Sequence, residues 1–220
     1  MTRSTHHARA AALAACLSLA LGACGDSSDD ATAGDTTTTS TASAPEGVLR
    51  GMPRDPVDVG DVAMPDASQG GDDFSFVARD GGLLVVYFGY TSCPDVCPTT
   101  LSDVRTALAD LGGGEADRVD VAMVSIDPER DTPDVLTGYV QSFVDDAHSL
   151  TTTDDALLRS AADAFGADYR WVEATDGEQV PEHTGFLYVV DDAGRLVLMW
   201  PYGQSPGDIA HDLSLLLEEA

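Results

Sequence analysis

The sequence predicts an α/β fold, a central mixed sheet flanked by helices, preceded by an N-terminal extension. Three observations carry this expectation. Leu83-Leu84-Val85-Val86-Tyr87-Phe88 is an unbroken apolar run of strand length, as expected of a strand covered on both faces. A second run follows at Val119 to Ile126, with a helical pattern between the two. The chain then closes with two short apolar runs joined by Asp191-Asp192-Ala193-Gly194, which reads as a hairpin, and with an amphipathic helix.

Taken in order, the first fifty residues read as an address and a tether. Arg3 and Arg9 flank the start of Ala10 to Leu21, twelve residues that are too few to span a bilayer but suit a signal-peptide core. Leu21-Gly22-Ala23-Cys24 resembles the lipobox of bacterial lipoproteins, in which cleavage before the cysteine leaves it carrying lipid. The resemblance implies a signal at residues 1–23 and a lipidated Cys24, hence an exported protein anchored on the outer face of the cytoplasmic membrane. An ordinary secretory signal cut nearby is the alternative. The lipobox is favoured because residues 24–50 are tether-like. Gly25 to Gly47 is almost entirely Ser, Thr, Asp, Ala and Gly, without an aromatic residue, and cannot offset its ordering entropy by burial.

Residues 51–220 are expected to fold. Val57 to Ala78 contributes a short strand or hairpin. After the first buried strand, Leu101, Val104, Leu108 and Leu111 recur at helical spacing, and Gly112-Gly113-Gly114 stops the helix. Thr132-Pro133 supplies an N-cap and a proline at the first position of a helix running to Phe143. Asp154 to Phe165 is a further helix. Phe186 to Val190 and Leu196 to Trp200 are the hairpin strands, and Ser205-Pro206 opens a last helix with Ile209, Leu213, Leu216 and Leu217 on one face. Right-handed crossovers make the strands ending at Phe88 and Ile126 parallel neighbours. Their carboxyl ends then share the edge where open α/β sheets place their chemistry. Strand-helix-strand followed by hairpin-helix is the thioredoxin order.

Charge narrows the partners. The chain has 38 acidic and 11 basic side chains, all the basic ones Arg, for a net −27. Removal of residues 1–23 takes Arg3 and Arg9 away and leaves −29. Nucleic-acid binding, which is built from cations neutralising phosphates, is excluded, and so is electrostatic adhesion to anionic lipid.

The same processing simplifies the cysteines. Cys16 lies in the discarded segment and Cys24 is assigned to lipid, so the domain keeps Cys93 and Cys97. They sit in Phe88-Gly89-Tyr90-Thr91-Ser92-Cys93-Pro94-Asp95-Val96-Cys97-Pro98, which leaves a buried strand and enters a helix. A helix N-terminus favours thiolate over thiol, and the four-residue spacing puts both sulfurs on one helical face. The pair can be bridged, reduced or metal-bound; the leading metals for soft thiolates are Cu(I) and Zn(II). A permanent staple closing so small a loop would add little stability.

Two thiolates seldom complete a metal site. Of five His, His6 and His7 leave with the signal, His211 reads as a solvated surface residue of the last helix, and His148 reads as a loop residue with no obvious partner. His183 differs because Glu182-His183-Thr184-Gly185-Phe186 leads directly into a core strand. In the thioredoxin order that loop packs against the cysteines. Asp95 reads as an exposed acid favoured by the helix dipole; Asp127 to Asp131 stand on the same sheet edge but are left out of the site, since Asp131 and Thr132 read as helix caps.

Phe88 to Pro98 resembles the signature of the Sco/SenC family, the exported copper chaperones for cytochrome c oxidase assembly. Val124-Ser125-Ile126-Asp127-Pro128-Glu129-Arg130-Asp131-Thr132-Pro133, His183 ahead of Phe186-Leu187-Tyr188, and Tyr202-Gly203-Gln204 resemble further family segments in the same order, over roughly residues 56–220. The resemblance implies a thioredoxin-like domain in which Cys93, Cys97 and His183 ligate copper, as Cu(I) and also as Cu(II). It implies delivery to the copper subunit of cytochrome c oxidase or to another exported cuproprotein, by a monomer that is a metallochaperone rather than an enzyme. A thiol-disulfide oxidoreductase using Cys93 and Cys97 to keep partner cysteines reduced is the second reading. A peroxiredoxin-like peroxidase ranks last, since its Thr-x-x-Cys arrangement is absent.

Overall fold

The computed structural model describes residues 47–174, 177 and 179–220. The proposed signal at 1–23, Cys24 and the tether as far as residue 46 lie outside the described residues. In chain order the first strands are β1 (Met52–Asp58), β2 (Ala63–Asp66), β3 (Asp72–Ser75) and β4 (Leu83–Gly89). Then come α1 (Val96–Asp110), β5 (Val119–Ser125), α2 (Pro133–Gln141), β6 (His148–Leu150) and α3 (Asp155–Phe165). The chain ends with β7 (Tyr169–Glu173), β8 (Gln179–His183), β9 (Leu187–Val190), β10 (Arg195–Trp200) and α4 (Pro206–Glu219).

Eight strands form one mixed sheet in the order β1-β10-β9-β4-β5-β6-β2-β3, and β7 and β8 form a separate ribbon. The two apolar runs lie where the crossover rule puts them, with β4 parallel to β5 from Leu83 opposite Val119 to Gly89 opposite Ser125. Every residue of β4 is buried, which explains why it shows no polar alternation. β9 returns antiparallel on the other side of β4, and β10 follows it through the expected turn. This is the thioredoxin-like arrangement, with β1 capping one edge and the β2–β3 hairpin the other.

Two of the helices, α3 and α4, start at side chains that cap them. Asp154 caps α3 by accepting the amides of Ala156 and Leu157, and Gly166 ends it in the left-handed region at φ 65°. Ser205 caps α4 through the Asp208 amide ahead of Pro206. Beneath the sheet, Phe88, Phe165 and Tyr188 pack edge to face with centroids 5.4 to 5.9 Å apart.

Several details differ from the sequence reading. β1 pairs antiparallel with β10, a non-local pairing that its exposed, Pro-containing sequence does not announce. Asp212 on α4, wholly buried, accepts the amides of Arg50 and Gly51 at 2.8 Å each and the Trp200 indole at 2.9 Å, clamping the start of β1 to the core. His148 is not an unpartnered loop residue. It opens β6, its Nδ1 lies 2.6 Å from the buried Asp66 carboxylate, and its ring lies 4.3 Å from that of Phe74. His211 is half-buried, with Nε2 3.2 Å from the Val48 carbonyl, rather than simply solvated.

Candidate metal centre

β4 ends at Gly89, and the chain turns through Tyr90 to Asp95 into α1 at the carboxyl edge of the sheet. Cys97 lies in the first turn of α1 and is fully buried; Cys93 is half-exposed. The two do not share a helical face, because Cys93 precedes the helix and its N-cap, Asp95, whose side chain makes no capping bond. The Cys93 sulfur takes over that task, accepting the Cys97 amide at 3.3 Å. Both thiols therefore lie at the helix N-terminus, but one belongs to the loop and the other to the core.

Cys97 is enclosed by groups the sequence did not single out. The Tyr87 hydroxyl donates to its sulfur at 3.3 Å. A Cβ built on Gly89 would stand 3.1 Å from the same sulfur and 2.6 Å from the Tyr87 ring, so glycine at this position is a packing requirement. The signal for Tyr87 was present in the two-residue strand period, which returns Tyr87 and Gly89 to the same face.

His183 arrives from the far side. It is the last residue of β8, and its Nε2 lies 3.8 Å from the Cys97 sulfur across 86 residues of sequence. Its Nδ1 lies 3.0 Å from the Thr184 carbonyl. A carbonyl only accepts, so Nδ1 carries a proton and Nε2 is the nitrogen that faces the sulfurs. The rings of Tyr87 and Tyr90 stand edge to face against the imidazole, each with its centroid 6.0 Å away. The three sequence-predicted residues thus meet, and a cavity of about 380 Å³, whose lining includes Tyr90, Cys93 and His183 together with the acids Asp95 and Glu182, opens beside them.

The thiols titrate in opposite directions. Hydrogen bonding with Cys97 holds Cys93 well below the usual thiol range, against its burial and with help from His183 and the amides of Cys97 and Asp95. Cys97 is pushed up, first by that same partner and then by burial. One proton therefore resides on Cys97, and Cys93 is the ready thiolate. Burial pushes the Tyr90 hydroxyl up to about 12, with the neighbouring sulfurs adding to the effect.

Two thiol sulfurs and an imidazole nitrogen are a soft donor set, suited to copper or zinc. A sulfur at roughly 2.3 Å and a nitrogen at roughly 2.0 Å, about 120° apart on one ion, would be separated by about 3.7 Å. The observed 3.8 Å between Cys97 and His183 matches. Among the described residues no group of three or more His, Cys, Asp or Glu side chains is drawn in as a preformed metal cage, this set included. The Cys93 sulfur is engaged by the Cys97 amide. The donors fit the ion, in an arrangement open on one side.

Asp127 to Asp131 depart from the sequence reading. Thr132 is the N-cap of α2 but makes no side-chain capping bond, and Asp131 is not a cap at all. Asp131 is fully buried and accepts the Thr91 amide at 3.1 Å, the Thr91 hydroxyl at 2.5 Å and the Ser125 hydroxyl at 2.7 Å. It fastens the loop that carries Cys93.

Comparison with known proteins places the chain in a family. Residues 67–218 match the model of the SCO1/SenC family. An SCO2-like protein of Rickettsia prowazekii is 34% identical over 129 residues, 58% of this chain and 62% of the relative, so the chain spans less than two thirds of that protein. Among solved structures, copper-bound ScoI of Bradyrhizobium japonicum is 30% identical with a TM-score of 0.59, covering 74% of this chain and 98% of that one. Apo Sco1 of Thermus thermophilus is 32% identical with a TM-score of 0.61, covering 78% and 95%. The family model spans well over half of the chain, and the conclusion follows: this chain belongs to the SCO1/SenC family.

Proposed function

We propose that this protein is a copper metallochaperone that holds its cargo between Cys93, Cys97 and His183. The observation that carries the reading is the convergence of His183 Nε2 on the Cys97 sulfur from a remote ribbon, at 3.8 Å. The copper-bound Bradyrhizobium relative, similar over 74% of this chain, supports it. Thiolates hold Cu(I), and the imidazole extends the site to Cu(II). Three ligands open to a cavity can release an ion by ligand exchange, as a carrier must. The proposed recipient, following the family resemblance, is the copper subunit of cytochrome c oxidase or another exported cuproprotein. The proposed setting is the outer face of the cytoplasmic membrane, with a lipid on Cys24, a tether that ends before Leu49 and Arg50, which pack on the domain, and the protein acting as a monomer. Export and the lipid anchor rest on the basic, apolar and lipobox-like pattern of residues 3–24.

Anaerobic titration of the reduced protein with Cu(I) tests the site. Tight uptake of one equivalent, weakened in Cys93→Ser, Cys97→Ser and His183→Ala, is expected. Uptake of both Cu(I) and Cu(II) untouched in His183→Ala removes the third ligand.

The asymmetry of the two thiols favours a second reading as a thiol-disulfide oxidoreductase. Cys93 is accessible and thiolate-prone while Cys97 is buried and protonated, the division expected of attacking and resolving cysteines. Disulfide reduction that needs both cysteines, in a protein that takes up no copper, would put this reading first.

A further inference from the structure

The proposed metal centre joins two parts of the chain that share no strand pairing. The cysteine loop follows β4 in the main sheet, whereas His183 ends the separate β7–β8 ribbon. A third segment, residues 127–131 between β5 and α2, touches both. It is a closed turn, with the amides of Arg130 and Asp131 both donating to the Asp127 carbonyl and the Asp127 amide donating to Ser125. At one end Asp131 grips Thr91, two residues before Cys93.

At the other end Arg130 reaches the ribbon. Its Nε donates to the Asp127 carboxylate at 2.5 Å, and that carboxylate is buried, so the guanidinium is aimed rather than free to wander. It lies 5.5 Å from the centroid of Trp171 on β7, and its Nη1 donates to the Gln179 carbonyl on β8 at 3.5 Å. Trp171 pairs with Pro181 across the ribbon, two residues from His183. The opposite end of the ribbon has its own anchor. Arg159 of α3 lies 3.9 Å from the centroid of Tyr169, the residue paired with His183, and donates to its carbonyl. A ribbon held at one point can pivot. A second point removes that freedom.

We propose that residues 127–131 form a strut that sets the distance from His183 to the cysteines, with Arg130 as the positioning residue for the imidazole. The proposal rests on the copper-site reading above. Loss of a group that orients a ligand typically weakens metal binding at least 10-fold. The imidazole matters more to Cu(II) than to thiolate-bound Cu(I). Arg130→Ala is therefore expected to lower Cu(II) affinity about 10-fold while Cu(I) affinity stays within about 3-fold. Trp171→Leu, which leaves the Arg130–Asp127 pair intact, should act in the same direction and guards against damage from an unpaired Asp127.

The experiment measures Cu(I) and Cu(II) affinities of the wild type and both variants, with NMR relaxation dispersion on the β7 and β8 amides of the metal-free proteins. New microsecond-to-millisecond exchange in the ribbon, together with selective Cu(II) loss in both variants, supports the strut. Wild-type Cu(II) affinity and unchanged ribbon relaxation in both variants overturn it. Equal losses of Cu(I) and Cu(II) also overturn it, since they indicate general damage. If the wild type takes up no copper the chaperone reading fails, and the relaxation of the metal-free ribbon still decides whether Arg130 fixes it.

Discussion

Gly89 is where the sheet meets the cysteine loop, and Gly89→Ala should damage both. The added methyl would stand 2.6 Å from Tyr87 Cε1, 3.1 Å from the Cys97 sulfur and 3.2 Å from Met123 Cε. Ordinary contact needs roughly 3.5–4.0 Å. Tyr87, Cys97 and Met123 are all fully buried, so none can swing into solvent. Met123 can flex, but the Tyr87 ring and the helix bearing Cys97 must move by roughly half an ångström or more. Overpacking of this kind costs about 1–3 kcal/mol. A binding site tolerates about 0.5 Å of displacement, so copper affinity should fall about 10-fold as well. Urea unfolding of the reduced, metal-free protein measures the first effect and anaerobic Cu(I) titration the second. Gly112→Ala is the control, because no atom lies within 4 Å of a Cβ there. Stability within about 0.5 kcal/mol of wild type, with unchanged Cu(I) affinity, would show that the Cys97 pocket has slack and refute the reasoning.

Other expectations follow from the same contacts. Asp212→Ala strands the buried Trp200 indole and the amides of Arg50 and Gly51, and should lower stability by about 3 kcal/mol in urea unfolding. A double-mutant cycle with Trp200→Phe should show strong coupling. Burial opposes ionisation of Asp66, but hydrogen bonds from Ser68, His148 and the Ser149 amide outweigh it and lower its pKa. Its contribution to stability is thus present above about pH 4, the unfolded value, and lost as pH falls through the lower folded value. Asp66→Asn should accordingly flatten the stability profile below about pH 4. Iodoacetamide should label Cys93 and spare buried Cys97, at a rate nearly constant from about pH 5 to 8, read by peptide mass spectrometry. A rate that climbs tenfold per unit across that range would mean that Cys93 is an ordinary thiol.

The site was legible in parts. The cysteine pair and its place between strand and helix are contiguous in sequence, and His183 stands directly before a core strand. Its convergence on the sulfurs was inferred from the thioredoxin order, and the ribbon carrying it was not foreseen. Tyr87 was visible only as one more apolar residue in a buried run. Asp131 and Thr132 look alike as helix-capping residues, yet Thr132 takes the N-cap position and Asp131 is drawn inward by Thr91 and Ser125.

By itself the sequence determined the buried strands β4 and β5, the closing hairpin and the starts of α2, α3 and α4, because periodicity and cap residues are local signals. It also determined which atoms are available to bind a soft metal. Only the tertiary structure decided that Cys97 is buried while Cys93 is accessible, that His148 pairs with Asp66, and that Asp212 clamps β1. The last two depend on single polar groups meeting across a long stretch of chain, and the first on how the loop and helix pack against the core. Such meetings leave no repeating trace in the sequence, and the folded geometry alone selects the partner.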